Sequence, residues 1–153
     1  MRYCPSALVR GRMIDPSPRP DAVPSGWILQ SHRDTFSGSA GPFYFRPADD
    51  PLPGVGFFAE PRHANAHGMI HGGALLTLAD MSLWDICRRA AGPFNAVTLT
   101  LNSEFVAPGP IGRFIIAGGE AVKIGKSIMF ARGDIRCDDK ALLTFSGALK
   151  RFS

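Results

Sequence analysis

The longest uninterrupted apolar segment of the chain predicts one long helix. Residues 74–91 contain no glycine or proline, and 12 of these 18 residues are apolar. Gly72 and Gly73 precede the segment, and Gly92-Pro93 follows it as a stop signal. Because so many of its positions are apolar, we expect this helix to be largely buried.

Shorter apolar segments on both sides of the helix predict strands. Clusters of glycine, proline and aspartate that are typical of turns separate them, such as Gly125-Lys126. The segments are residues 27–29, 43–45, 55–59, 96–106, 114–124, 127–137 and 141–152. Strands joined by short connections pair antiparallel, and a single apolar helix has to be covered by them. The order therefore predicts an α+β fold in which a curved antiparallel sheet wraps one helix.

Residues 96–106 alternate so regularly that they predict which side chains share a face. Val97, Leu99 and Leu101 are expected on one face of this strand, and Thr98 on the opposite, solvated face.

Length and composition bound the domain organisation. A chain of 153 residues with 45% apolar and 20% charged residues fits one globular domain. Five of the 13 prolines fall within residues 1–26, which predicts an extended N-terminal arm and leaves residues 27–153 as the folded domain. No apolar run approaches the ~20 residues of a membrane span, and residues 1–12 lack the apolar core of a signal peptide. We therefore expect a cytoplasmic protein without a membrane partner.

Charge and cysteine spacing do not indicate a nucleic-acid-binding, disulfide-bonded or zinc-binding protein. A net charge of +4 without dense basic runs is too weak a signal for a nucleic-acid-binding protein. Cys4, Cys87 and Cys137 are odd in number and far apart, so neither a disulfide framework nor a zinc site is indicated.

The start of the predicted helix is a candidate anion site. Gly72 and Gly73 follow His71, and the first N–H groups of a helix have no acceptor within the helix. Glycines also let a carbonyl oxygen approach the backbone closely, although the same pair could serve only as a tight entry into the helix.

Asp80 is the second candidate, because its helical neighbours offer no cation. Leu76, Leu83, Trp84 and Cys87 surround it in projection. Asp85 differs, since Arg88 and Arg89 follow it by three and four residues and offer it ordinary surface pairing. A carboxylate on an apolar arc costs stability, so Asp80 is a candidate general base or nucleophile unless a distant loop supplies its partner.

Spacing along the helix limits how these two candidates can cooperate. At ~1.5 Å per residue, Asp80 lies about 12 Å from the Gly72 amide, too far for both to contact one carbonyl. If they act together, they come from different subunits.

Two weaker motifs are set aside. His63, His67 and His71 are four residues apart, but the glycines among them indicate a loop, and no metal site is expected. The segment 119–127 resembles a phosphate-binding loop, yet it has five residues between its glycines instead of four and reads as strand, turn and strand.

The spacing of Asn65, His71-Gly72-Gly73 and Asp80 resembles the phenylacetate-pathway (PaaI-like) branch of the hotdog-fold acyl-CoA thioesterases, within the 4-hydroxybenzoyl-CoA thioesterase superfamily. The resemblance extends over about residues 27–153. It implies a long helix wrapped by a five- or six-stranded antiparallel sheet, and homodimers, often paired into tetramers, that form by edge-to-edge sheet pairing.

Carried over residue by residue, the resemblance implies a set of catalytic roles. Gly72 would donate its N–H to the thioester oxygen, His71 would support that loop, and Asn65 would orient the carbonyl or water. Asp80 of the facing subunit would act as base or nucleophile, and the Thr98 hydroxyl would position the hydrolytic water. An oxyanion donor and a positioned base suffice for a thioester, so no cofactor beyond the CoA of the substrate is expected.

Further residues are candidates for binding the acyl-CoA substrate. They are Gly73, Lys123, Lys126 and Arg132. The three cations lie in the C-terminal strands, where they would meet ligand phosphates or, in the plainer alternative, only cover a solvated sheet face.

Three other functions remain open at this stage. A hydratase or dehydratase of the same fold would pair His63 or His71 with Asp80. A non-catalytic acyl-CoA sensor would keep the pocket and lose the need for Asp80. A structural dimer without a ligand would not be stabilised by any acyl-CoA.

Overall fold

Seven strands and one long helix make up the part of the chain that the structure describes. This structure is a computed structural model, and it describes residues 23–30, 35–47, 49–50 and 54–152. In chain order the elements are β1 (Ile28–Leu29), α1 (Phe36–Ala40), β2 (Phe43–Phe45), β3 (Val55–Phe58), a 3₁₀ turn (Pro61–His63), α2 (Gly72–Ala91), β4 (Asn95–Phe105), β5 (Phe114–Ile124), β6 (Ile128–Cys137) and β7 (Lys140–Phe152).

All seven strands belong to one antiparallel sheet that wraps around α2. Their order is β1-β2-β3-β5-β6-β7-β4, so that β1 and β4 form its two edges. Gln30 and Phe45 from the β1 side and Thr98 from β4 line the same cavity above α2. The sheet is therefore curved enough for its two edges to face each other across the helix.

Apolar side chains fill the space between helix and sheet. Leu78 and Leu83 of α2 are fully buried, as are Ile115, Met129 and Leu149 of the central strands. Burial of an aliphatic side chain of this size stabilises the fold by about 1.5–3 kcal/mol, so this layer is its main source of stability.

The predicted α+β architecture is confirmed. The helix begins at Gly72, two residues earlier than predicted, because both glycines form its first turn. The two strands β2 and β5 have the predicted bounds, β4 is shifted by one residue at both ends, and the others differ by one residue at one end. With seven strands in the described residues, the sheet is larger than the five or six strands that the resemblance implies.

The sequence did not predict helix α1 or the 3₁₀ turn. Helix α1 has five residues, two of them serine and one glycine, so its composition resembles that of a turn.

Of the predicted arm, residues 1–22 lie outside the described residues, and the division at residue 26 stays a prediction.

The predicted alternation along β4 is wrong at one point. Thr98 pairs with Leu149 and Thr100 with Ala148, so Leu99 is an extra residue in a β-bulge. The bulge shifts the alternation by one position and places Thr98 on the same face as Leu101, toward the helix. Thr98 is therefore turned away from the solvated face where the pattern placed it.

None of the helices in the described ranges combines the length and the apolar character needed to cross a membrane.

Candidate active site

Asp80 lies at the base of a cleft between the two edges of the sheet. The cleft has a volume of about 340 Å³. Its lining residues are Gln30, Ser37, Phe45, Asp80, Met81, Trp84, Ala96, Val97 and Thr98. The Asp80 carboxylate is half-buried, and most of its neighbours in the cleft are apolar. A carboxylate in such a cleft is accessible to a small ligand.

The hydroxyl of Thr98 donates a hydrogen bond to Oδ1 of Asp80, at 2.7 Å. The bulge at Leu99 makes this contact possible, because it turns Thr98 toward the helix. In the described residues no lysine or arginine forms an ion pair with Asp80. One carboxylate oxygen is thus fixed by a neutral donor, and no hydrogen bond from the described residues reaches the other.

The start of α2 presents one backbone N–H group without an acceptor. His71 is the N-cap, and its Nδ1 accepts a hydrogen bond from the Gly73 N–H at 2.9 Å. The N–H groups of Ala74 and Leu75 donate to the His71 carbonyl. Among residues 54–152 no group accepts the Gly72 N–H, which leaves this donor for a ligand oxygen.

His71 and Gly73 therefore have specific hydrogen-bonding roles at the start of the helix. Because His71 Nδ1 accepts a hydrogen bond, the proton of the neutral ring lies on Nε2. The His71 N–H donates to the His63 carbonyl at 2.7 Å, which anchors the loop before the helix. The Gly73 N–H is used by the cap, so Gly73 does not offer the same free donor as Gly72.

Asn65 organises the loop that leads to this helix start. Its Oδ1 accepts hydrogen bonds from the N–H groups of His67, at 2.8 Å, and Met69, at 3.2 Å. Its own N–H donates to the Met69 carbonyl at 2.7 Å. With the amide oxygen used in this way, the NH₂ group of Asn65 is the part that can orient a ligand oxygen.

Gly72 and Asn65 open into a second cleft, separate from that of Asp80. This cleft also has a volume of about 340 Å³ and includes Leu75, Phe105, Val106 and Pro108 in its wall. A Cβ on Gly72 would lie 3.1 Å from the Phe105 ring, so a larger residue would narrow the cleft. In one subunit the structure therefore brings Asp80 and Thr98 together, and Gly72 and Asn65 together, but does not join the two pairs.

Asp85 pairs with Arg88 and Arg89 as predicted, but its carboxylate is buried rather than on the surface. The residue is only 1% exposed, and its Oδ2 accepts a hydrogen bond from Arg89 at 2.7 Å. Arg89 also donates to the carbonyls of Arg46 and Pro47. Burial raises the pKa of the Asp85 carboxyl, against the opposite effects of Arg89 and Arg88. The pair is a buried link between α2 and the segment after β2.

His63 has a structural role that sequence reasoning did not identify. Its Nδ1 accepts the N–H of Glu60 at 2.9 Å, and its ring packs edge-on against Phe57. Burial lowers the pKa of the imidazole and Arg62 lowers it further, while Glu60 opposes both. The signal in the sequence was Glu60 three residues before His63, the spacing of a capping box. Within the described ranges no three His, Cys, Asp or Glu side chains are close enough to hold a metal ion.

None of the three predicted cations lines either cleft. Arg132 is on the outer face of the sheet, where it forms an exposed ion pair with Glu120 at 2.6 Å. Lys123 pairs with Phe130 on the same face, and Lys126 is in the turn between β5 and β6.

Comparison with known proteins identifies the family of this chain. Residues 67–144 match the thioesterase superfamily, and this range includes Gly72, Asp80 and Thr98. The PA0474 protein of Pseudomonas aeruginosa, which is named as an esterase, is 27% identical over 126 residues, 82% of this chain and 94% of that protein. Human acyl-coenzyme A thioesterase 13 is 31% identical over 80 residues, 50% of this chain. The match spans 54%, about half, of that thioesterase.

Solved structures show the same fold. The BH2602 protein of Bacillus halodurans, solved with CoA, is 27% identical with a TM-score of 0.58 over 65% of this chain and 66% of that one. A single-residue mutant of the phenylacetic acid degradation protein PaaI of Thermus thermophilus is 23% identical. It superposes with a TM-score of 0.66 over 76% of this chain and 98% of that one. These likenesses confirm the predicted hotdog fold.

Proposed function

The chain belongs to the thioesterase superfamily, and from that premise we propose that it hydrolyses acyl-CoA thioesters at a site shared between two subunits. The family confirms the predicted class of activity, a thioester hydrolase. The observation that supports the shared site is the division of the candidate residues between two clefts: Asp80 with Thr98 in one, and Gly72 with Asn65 in the other.

The free edge of β4 supports a dimer. This strand has 11 residues, and among the described strands it pairs with β7 alone. Four apolar residues along it and just after it are more than half exposed: Val97, Leu99, Phe105 and Val106. A long apolar edge is an aggregation hazard unless another chain covers it, and a second copy of β4 would cover it with the same pattern.

Antiparallel pairing of two β4 strands would bring the two clefts together. The Asp80 cleft lies at the start of β4, at Ala96 to Thr98, and the Gly72 cleft at its end, at Phe105. A twofold axis between Leu101 and Asn102 places Thr98 of one copy opposite Phe105 of the other. Each dimer then has two complete sites, and a tetramer of such dimers keeps them unchanged.

In the proposed hydrolysis each group has a role. The Gly72 N–H, at the positive end of α2, holds the carbonyl oxygen and stabilises the oxyanion that forms on attack. Asp80 of the facing subunit takes a proton from water as general base, or attacks the carbonyl itself as nucleophile. Thr98 holds one oxygen of that carboxylate, and the NH₂ group of Asn65 orients the carbonyl or water.

As the carbonyl–sulfur bond breaks, CoA leaves as a thiolate that takes up the proton removed from water. In the general-base route the water oxygen forms the new bond to the carbonyl carbon and the free acid is released directly. In the nucleophile route the acyl group is first bonded to Asp80 as an anhydride, and water then hydrolyses it to the free acid and restores the carboxylate.

The hydratase alternative receives less support from the described residues. It needs a histidine base beside Asp80, but His63 is buried against Phe57, and the side chain of His71 is engaged in capping the start of α2. Because the ring of His71 is held by the Gly73 N–H, its Nδ1 is not available as a base.

A cytoplasmic location is part of the proposal. Cys87 and Cys137 are buried free thiols, which suit a reducing compartment.

The direct test is thiol release from a panel of phenylacetyl-, benzoyl-, short-, medium- and long-chain acyl-CoAs, with Asp80→Asn as the paired variant. We expect hydrolysis of at least one member and a kcat at least about a hundredfold lower in the variant. Release from no thioester, with acyl-CoA still raising the Tm, would instead support the sensor. No release and no change in Tm would support the structural dimer.

A further inference from the structure

Trp84 is the largest side chain in the wall of the Asp80 cleft. It follows Asp80 by four positions in α2, so the two side chains lie on one face of the helix, about 6 Å apart along its axis. The residue is 38% exposed, although it lies on the helix that the sheet wraps. The indole therefore borders the space that a ligand at the carboxylate would occupy.

Three side chains support the indole from outside the cleft. The Phe94 ring packs against it, with ring centroids 5.4 Å apart. The Arg88 guanidinium lies 5.7 Å from the centre of the indole, and the Arg151 guanidinium lies 5.6 Å from the centre of the Phe94 ring. Aromatic and cation–π contacts of this kind favour one arrangement of the rings. Because none of the three supporting residues lines the cleft, they hold the indole in place as its wall.

The other side chains around Trp84 suit a hydrocarbon chain. Phe45, Met81 and Val97 contribute apolar surface to the same cleft. Of the described residues that line it, Asp80 alone carries a charge. The CoA half of a thioester is rich in amides and phosphates, which cations and polar groups bind best. An apolar wall without a cation suits the acyl half instead.

The position of Trp84 limits how far an acyl group can extend. In the proposed reaction the carbonyl carbon is held at Asp80, and the acyl group continues from there along the cleft. The cleft volume of about 340 Å³ is near the lower end of the range of about 300–1,000 Å³ for small-molecule pockets. A long chain would reach the indole about one helical turn beyond the carboxylate.

We infer that Trp84 sets the upper limit of acyl-chain length, and that the protein acts on thioesters of short acyl groups. This inference rests on the proposed function for the identity of the ligand. Up to the indole, each methylene that becomes buried in the cleft strengthens binding about fourfold. Beyond the indole a longer chain has no space in the cleft, so it gains nothing further.

The test measures kcat/KM for straight-chain acyl-CoAs from acetyl to dodecanoyl in the wild type and in Trp84→Ala. We expect the wild type to prefer a short chain. In Trp84→Ala the preferred chain should be longer by at least about two methylenes, so the ratio of kcat/KM for the longer chain to that for the shorter one should rise at least about tenfold. Trp84→Phe should give an intermediate ratio, and because it keeps an aromatic ring against Phe94, it decides the question if Trp84→Ala fails to fold.

Phe130→Ala is the matched control, because Phe130 is also a partly exposed aromatic residue, at 43%, but lines neither cleft. It should leave the ratio unchanged. Both substrates are measured on the same preparation, so the ratio does not depend on the amount of folded enzyme. A wild type that prefers dodecanoyl-CoA, or an unchanged ratio in the Trp84 variants, would overturn the inference. An equal change for every chain length would place the CoA carrier against the indole and would also overturn it.

Calorimetric titration with S-alkyl-CoA thioethers of the same lengths, which cannot be hydrolysed as thioesters, gives a readout that does not depend on turnover. The affinity of the wild type should stop increasing at a short chain, whereas that of Trp84→Ala should continue to increase. If no thioester is hydrolysed but this difference is found, the proposed activity fails and the length limit stands. If thioesters are hydrolysed with the same length profile in both proteins, the activity stands and the length limit fails.

Discussion

Two aspartates on the same helix differ in what surrounds them. Asp85 is 1% exposed and is held by Arg89, which also binds two backbone carbonyls of the segment after β2. Asp80 is half-buried in an open cleft, and its described hydrogen-bond partner is the neutral hydroxyl of Thr98. Five residues turn the helix by about 140°, so the two carboxylates point to different neighbours.

The two carboxylates differ in charge compensation and in access to a ligand. Asp85 has its charge compensated and no access to a ligand. Asp80 has access to a ligand, and none of the described cations forms an ion pair with it. Burial alone does not identify the candidate catalytic residue here, because the more buried carboxylate is the one held by an ion pair.

The largest effect should come from removing the cation beside Asp85. Arg89→Met leaves a buried carboxylate uncompensated, which costs about 3–5 kcal/mol of unfolding free energy at pH 7. Arg88→Met is the matched control, because Arg88 lies 3.9 Å from Asp85 and is far more exposed, and it should cost less than about 1 kcal/mol. Urea unfolding measures both, and equal losses would contradict a specific Asp85–Arg89 pair.

The cost of Arg89→Met should also depend on pH. Burial raises the pKa of Asp85 above its value in the unfolded chain. The folded protein then holds this proton to a higher pH, so stability is lost as the pH rises through the folded-state pKa. Without Arg89 the loss of stability with rising pH is larger than in the wild type. Urea unfolding should therefore show that Arg89→Met lowers the unfolding free energy less at pH 4 than at pH 7. A cost that is larger at pH 4 would contradict the assignment.

Asp80→Asn should reduce activity and leave stability nearly unchanged, in contrast to Arg89→Met. We expect kcat to fall at least about a hundredfold, while the unfolding free energy changes by less than about 0.5 kcal/mol. Steady-state kinetics and urea unfolding on the same preparation measure both quantities. A stability loss as large as that of Arg89→Met would place Asp80 among the structural residues.

Substitutions at Thr98 test whether its hydrogen bond to Asp80, which the bulge makes possible, contributes to activity. Thr98→Val keeps the shape and removes the hydroxyl, and we expect kcat to fall about tenfold, the value of one hydrogen bond near 1.4 kcal/mol. Thr98→Ser keeps the hydroxyl and should retain most of the activity. Equal activity of the two variants would show that the hydroxyl has no role.

The smallest effect should come from the cap of the helix. His71→Ala removes the acceptor of the Gly73 N–H and should cost about 1 kcal/mol of unfolding free energy with a modest loss of kcat. His71→Asn supplies another N-cap oxygen and should restore both quantities. Restoration of stability without activity would indicate that the imidazole takes part in the chemistry.

The sequence predicts the helix, the strands and the family pattern, because these depend on local periodicity and spacing. It does not predict the direction of Thr98, since a bulge depends on the pairing of β4 with β7 rather than on β4 alone. It also does not predict the burial of Asp85, because the carbonyls that hold Arg89 come from residues about 40 positions away. Contacts between distant segments thus decide which polar residues are structural.

Complementation between two inactive variants tests the shared site most directly. Gly72→Pro removes the candidate oxyanion donor, and the extended backbone of His71 is compatible with a following proline. Gly72→Ala is the control that keeps the N–H. After joint unfolding and refolding of Gly72→Pro with Asp80→Asn, half of the dimers should be mixed, and each should contain one intact site. The account predicts recovery of about a quarter of wild-type thiol release, whereas no recovery above the two separate variants would contradict a site built from two subunits.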